Sequence, residues 1–166
     1  MWQKMFYLVI LFTALMVLGC NDELVAPPEG QSNLISGETE FIEYVDPGTV
    51  TQLGHGNIQV RNQVAAFMDE SNDNQLSGLR TVVLNYNYDS NNQGYSYGTF
   101  SIETNSGFWE GDWTGRTTSS GTTIKAIGYN FDERGQSCEW NYYFPSSQDG
   151  EVGTFSARII SERDKI

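Results

Sequence analysis

The sequence predicts an all-β domain of about eight antiparallel strands, and three observations predict it. From residue 38 onward, apolar and polar residues alternate with a period of two. The runs are rich in β-branched and aromatic residues, and clusters of Gly, Asn, Asp, Ser and Pro punctuate them at hairpin spacing. Intervals this short predict an up-and-down meander, because a Greek key needs a long return connection. Eight strands also suit closure into a small β-barrel, which removes both sheet edges; a β-sandwich is the alternative.

Taken in order, residues 40–45 form the weakest strand candidate, ended by Asp46-Pro47-Gly48. In the next run Ile58, Val60, Val64, Ala66 and Met68 share one parity and Gln59, Arg61 and Gln63 the other, the pattern of a half-buried strand. Six further runs cover 79–88, 95–104, 108–116, 122–131, 138–144 and 152–160. Between them lie turn clusters at 71–78, 89–94, 105–107, 119–121, 132–135 and 146–150. In the run 108–116, Trp109, Gly111, Trp113 and Gly115 share one face, opposite Glu110, Asp112, Thr114 and Arg116. Alternating large and absent side chains suits a strongly curved, tapering interior. Gly98-Thr99-Phe100-Ser101 recurs as Gly153-Thr154-Phe155-Ser156, which reads as two strands that each place a Phe inside.

The chain before this domain has a different character. Residues 1–19 read MWQKMFYLVILFTALMVLG, with Lys4 near the start and an apolar stretch over 6–18 broken only by Thr13. Thirteen helical residues span about 20 Å, short of the roughly 30 Å hydrocarbon core, so the stretch reads as a signal-peptide segment rather than a membrane span. Val17-Leu18-Gly19-Cys20 resembles the lipobox of bacterial lipoproteins. That resemblance implies a signal peptide at 1–19, lipidation of Cys20, and a membrane as partner through that anchor. Asn21-Asp22-Glu23 resembles signals that route lipoproteins outward in some Gram-negative groups, while in others an aspartate here retains them at the inner membrane. The expected place is the bacterial cell envelope, with the outer membrane or cell surface favoured. Residues 20–37 contain Pro27-Pro28 and no sustained periodicity, and read as a flexible tether to a domain at 38–166.

Composition restricts the chemistry. Nine Lys+Arg against 21 Asp+Glu give −12, and loss of Lys4 with the signal segment makes it 8 − 21 = −13. Phosphates would be repelled, so no nucleic-acid partner is expected. The one histidine, His55, lies between Gly54 and Gly56 with no nucleophile beside it in sequence. Cys138 shares parity with Trp140, Tyr142 and Phe144, which predicts a buried, inert thiol. Residues 89–94 imitate the opening of a calcium loop, but the twelfth position, where a bidentate Glu belongs, is Phe100. Residues 69–73 could gather carboxylates, and Glu110 and Asp112 project together from the face opposite the tryptophans. No cofactor, metal site or catalytic set follows.

Aromatic residues are more informative. Four of the 22 lie in the signal segment, which leaves 18 for the rest. Tyr86, Tyr97, Trp109, Trp113, Trp140 and Tyr142 are the candidate lining of a pocket for a small apolar or sugar-like ligand. The same residues could simply fill a small barrel.

Gly98-Thr99-Phe100, Trp109-Glu110-Gly111-Asp112-Trp113-Thr114-Gly115 and Ile124-Lys125-Ala126-Ile127-Gly128 resemble strands of bacterial allene oxide cyclase-like β-barrel proteins, over about residues 55–160. The resemblance implies a calycin-like barrel of unassigned activity and carries over no catalytic residue. The leading expectation is a non-catalytic envelope lipoprotein whose barrel binds a small ligand or another envelope component. A cyclase or isomerase-type enzyme, and an inhibitor or adaptor acting through acidic loops, are the alternatives. Which protein would be the partner is not legible.

Overall fold

A computed structural model describes residues 34–131, 136–146 and 151–161. The expected signal segment, Cys20 and most of the tether lie outside those residues. Nine β segments follow one another: β1 Ile35–Asp46, β2 Thr49–Gln52, β3 Ile58–Ser71, β4 Gly78–Tyr88, β5 Gly94–Thr104, β6 Gly107–Thr118, β7 Gly121–Asn130, β8 Gln136–Pro145 and β9 Val152–Ser161. Every consecutive pair from β3 to β9 is hydrogen-bonded and antiparallel. β1 pairs with both β9 and β3, which closes the sheet into an eight-stranded up-and-down barrel with β2 as an extra segment. The architecture is the one the two-residue period and short turns predict, and it is consistent with a calycin-like barrel.

β1 and β2 occupy one strand position. Asp46 pairs with Val64 and Thr49 with Arg61, so the pairing with β3 resumes in the same register after Pro47-Gly48. Proline removes a ladder donor, and Gly48 has φ 64°, which explains the break there. β1 also starts at Ile35, three residues before the sequence-derived boundary at 38. Ile35 is buried and pairs with Ala157, so its apolar character belongs to the core and not to the tether.

β3 departs from the single parity expected of it. Its pairing with β4 shifts between Val60 and Gln63, and Asn62 there adopts φ 56°. This bulge reverses which residues face inward. Val60 is buried before it, whereas after it Ala65 and Asp69 are buried and Met68 is exposed.

The core lies within the barrel. Trp109, Ile102, Cys138, Trp140 and Ala157 are almost fully buried at the end where the described chain begins. Leu76, in the turn between β3 and β4, is fully buried and plugs that end, and Trp109 Nε1 donates to the Gln75 carbonyl at 3.1 Å. Trp109 and Phe100 meet Trp140 edge-on, at centroid distances of 5.6 and 5.4 Å. Glycines make that density attainable: Gly111 pairs with Gly128 across β6 and β7. A Cβ on Gly128 would lie 2.8 Å from the Phe100 ring and 3.1 Å from that of Trp140. Gly128 on β7 thus lets the rings of Phe100 and Trp140 lie against bare backbone.

Outward positions of β5–β8 include Glu103, Glu110, Asp112, Thr114, Lys125 and Glu139, all exposed. A barrel crossing a bilayer would present an apolar band there. The same strands also expose Tyr95, Tyr97, Ile127, Tyr129 and Tyr143, so this outer face mixes charged and apolar residues.

Candidate functional site

Four strands place a polar cluster inside the apolar barrel. Arg80 on β4 points inward on the same parity as Val82 and Leu84, and Asp69 on β3 faces it after the bulge. Arg80 Nε donates to Asp69 Oδ2 at 2.8 Å, and its Nη2 donates to Asp69 Oδ1 at 3.2 Å and to Thr39 Oγ1 at 2.8 Å. Tyr142 Oη donates to Asp69 Oδ2 at 3.0 Å. The guanidinium is held between two rings, 4.6 Å from the Phe67 centroid and 4.4 Å from that of Tyr142. A fork-on-fork arginine–carboxylate pair with stacked rings is the geometry in which burial of both charges is best compensated.

Burial opposes the Arg80 cation. Attraction to Asp69, with the hydrogen bonds between them, outweighs it and leaves Arg80 above its ordinary value. Tyr142 is held well above the usual tyrosine value of 10.0, first by burial and then by the Asp69 carboxylate it donates to, with Arg80 partly opposing. The folded chain therefore keeps the Tyr142 proton where the unfolded chain has lost it. Its contribution is intact below pH 10 and is lost as pH rises beyond. Burial likewise raises the Cys138 thiol above its ordinary 9.0. Urea midpoints should accordingly stay level to about pH 8, begin to fall near pH 9 through Cys138 and fall more steeply above about pH 10 through Tyr142. In Tyr142→Phe the alkaline decline should be shallower; an unchanged slope would show that Tyr142 does not set it.

Beside the cluster, among the described residues, lies a small concavity of the interior. It is bounded by Phe67, Arg80, Leu84, Trp113, Tyr142 and Phe144, and opens at the end of the barrel opposite Leu76. The cavity measures about 20 Å³, room for one water molecule. Tyrosines crowd the opening. Tyr86 stacks on Tyr88 at 4.7 Å, Tyr88 Oη bonds Thr117 Oγ1 at 2.9 Å, and Tyr44 approaches Phe41 at 4.8 Å. Burial, with Tyr44 and Tyr88 as neighbours, raises Tyr86.

The six residues expected to line a pocket are therefore divided. Trp113 and Tyr142 border the cavity, and Tyr86 stands at the opening. Trp109 and Trp140 pack deeper, at the plugged end. Tyr97 is 46% exposed on the outer face, 5.9 Å from the Arg61 guanidinium, and does not join the others. The indole of Trp113 donates to Val83 and Thr99 carbonyls at 3.3 and 3.2 Å, which fixes its plane against β4 and β5.

The remaining chemistry-bearing residues lie apart. His55 is exposed in the single turn Gly54–Gly56 with φ 64°, and Glu110 and Asp112 are exposed on the outer face. Asp89 uses its Oδ1 to accept from the amides of Asn91 and Gln93, at 2.8 and 3.0 Å, so it closes its own turn. Among the described residues, no group of three His, Cys, Asp or Glu could hold a metal ion.

A second feature stands out at the open end. The pairing of β1 with β9 stops at Glu40, and Phe41 N donates to Glu151 O at 2.6 Å. Beyond it, residues 42–46 and 49–52 pair with β3 alone among the described residues. Ile42, Tyr44, Val45, Val50 and Leu53 on this projecting edge are 44–61% exposed. The sequence run 40–45 looked weak as a strand because both of its faces carry apolar and acidic residues together.

Neither protein-family models, nor curated proteins, nor solved structures match this chain.

Proposed function

We propose that this chain is a lipid-anchored, non-catalytic binding protein of the bacterial cell envelope, which engages another envelope component from its surface and does not enclose a free ligand. The filled interior carries this reading. Trp109, Trp140, Ile102 and Phe100 occupy the barrel, and the interior cavity beside Trp113, about 20 Å³, is far below the roughly 300 Å³ of a typical small-molecule site. The lipobox ending at Cys20 supports the anchor, and the charged residues on the outer face, Glu103, Glu110, Asp112, Lys125 and Glu139, suit a domain held beside a membrane. The resemblance of the Gly-Thr-Phe strand and of Trp109–Gly115 to allene oxide cyclase-like barrels agrees with the architecture. An enzyme of that kind would need room for its substrate beside an acid or base; His55, Glu110 and Asp112 lie away from the cavity, and Asp69 beside it is engaged by Arg80 and Tyr142.

Titration of the domain with an apolar naphthalene dye tests the central point. No saturable one-to-one uptake is expected. Stoichiometric uptake that disappears in Trp113→Ala would mean a hollow, ligand-holding barrel and would overturn the surface reading. Growth with an alkyne-labelled fatty acid tests the anchor, since the label should be lost in Cys20→Ser.

A further inference from the structure

We infer that the projecting edge formed by the second half of β1 and by β2 receives an extended, basic segment of a partner protein as an added strand. This inference rests on the surface-binding reading above and names its site and partner chemistry. Main chain comes first. Residues 42–46 and 49–52 have β3 on one side and no described strand on the other, so a row of amides and carbonyls is available for pairing. Closure pairs most of the barrel on both sides, so among the described residues this ribbon stands out as an extended stretch paired on one side only. Side chains come next. Ile42, Tyr44, Val45, Val50 and Leu53 place apolar surface beside these open main-chain groups, whereas other exposed apolar residues such as Ile127 and Tyr129 lie on a strand paired on both sides.

Charge decides the occupant. Glu40, Glu43 and Asp46 lie on the edge, the stretch from 40 to 53 contains no Lys or Arg, and the chain carries −12 overall. The nearest cation across the ladder, Arg61, is already engaged with the Val60 and Tyr86 carbonyls at 2.7 and 3.0 Å and with Asn87 Oδ1 at 2.8 Å. A second copy of this chain would bring the Glu43 and Asp46 carboxylates of both copies into one short ladder, where like charges destabilise. An incoming strand that alternates Lys or Arg with Val or Ile meets both the apolar positions and the carboxylates. Pro47 and the bulges near Ile42 and Val45 limit the edge to two short runs, which guards it against open-ended aggregation while leaving it usable.

Strand addition draws its affinity from main-chain hydrogen bonds and therefore tolerates sequence, so a generic probe suffices. The probe is an octapeptide of alternating Lys and Val, added to the domain while amide hydrogen exchange is followed. Exchange at 42–46 and 49–52 should slow at least tenfold, and the same peptide with alternate amides N-methylated should not protect. Tyr44→Lys/Val45→Lys, which changes only exposed side chains, should weaken binding at least tenfold with circular dichroism unchanged. A Glu-Val peptide should bind at least tenfold more weakly than Lys-Val. No binding, equal binding of the N-methylated peptide, or protection elsewhere on the barrel would overturn the inference, as would dimerisation of the chain through this edge. None of these outcomes alters the dye titration, so the surface-binding reading is tested separately.

Discussion

Arg80→Met is expected to destabilise the barrel by about 3–5 kcal/mol, a fall in Tm of roughly 10–20 °C. The reason is the carboxylate left behind. Asp69 is fully buried and receives two bonds from the guanidinium, and only the Tyr142 hydroxyl at 3.0 Å would remain among these side-chain donors. A buried charge without its counter-charge costs more than the pair contributes when intact. The double variant Asp69→Leu/Arg80→Met should therefore regain most of the loss, because it removes both charges and fills the space with apolar atoms. Chemical denaturation of the two variants checks this. A single variant within about 1 kcal/mol of the parent would show that water or rearrangement relieves Asp69.

Trp109→Ala should cost about 3–5 kcal/mol, by lost burial and by the cavity it leaves. Trp109 is fully buried, meets Trp140 edge-on, and donates to the Gln75 carbonyl of the turn that carries Leu76. Truncation would empty the plugged end and leave that carbonyl without its indole donor. Trp109→Phe, which keeps most of the volume, should cost less, and Tyr97→Ala on the outer face should stay within about 0.5 kcal/mol. Thermal unfolding of the three variants ranks them. If Tyr97→Ala cost as much as Trp109→Ala, the division of aromatics between core and surface would be wrong.

Much of this architecture was legible from local pattern. The two-residue alternation in β4 to β9 survives because those strands pair with one another without a shift, so sequence parity and burial largely coincide within each of them among the described residues. In β6 the pattern even identified the filling of the interior, since Trp109 and Trp113 are buried and Glu110 and Asp112 exposed. β3 was misread because one bulged residue, Asn62, reverses parity, and nothing local marks it. That error hid Asp69, which looked like a turn carboxylate and is the centre of the buried cluster. Arg80 left a clue: a charged residue on the apolar parity of Val82 and Leu84 needs a buried partner. Which partner it takes is set by β1, β3 and β8 meeting around the barrel, and that is not written in any single stretch. The candidate pocket fared unevenly for the same reason. Tyr97 lies on the parity opposite Phe100 in β5 and faces outward, although it was grouped with the pocket residues, and depth along the barrel, which separates Trp109 and Trp140 from Trp113, depends on the stagger between strands.

The seam between β1 and β9 also bears on how the molecule comes to exist. Ile35 through Glu40 pair with Val152 through Ala157, so the first and last strands close the barrel. Every other ladder joins neighbours along the chain and can form as a hairpin, with little chain entropy to overcome. The seam must wait until the final strand is present. Until then the aromatic interior lies open along one side, and the incomplete sheet has two bare edges. A polypeptide threaded through a membrane start-first would thus form its hairpins one after another as their strands emerge, and acquire its solid core in a single late step, on the far side.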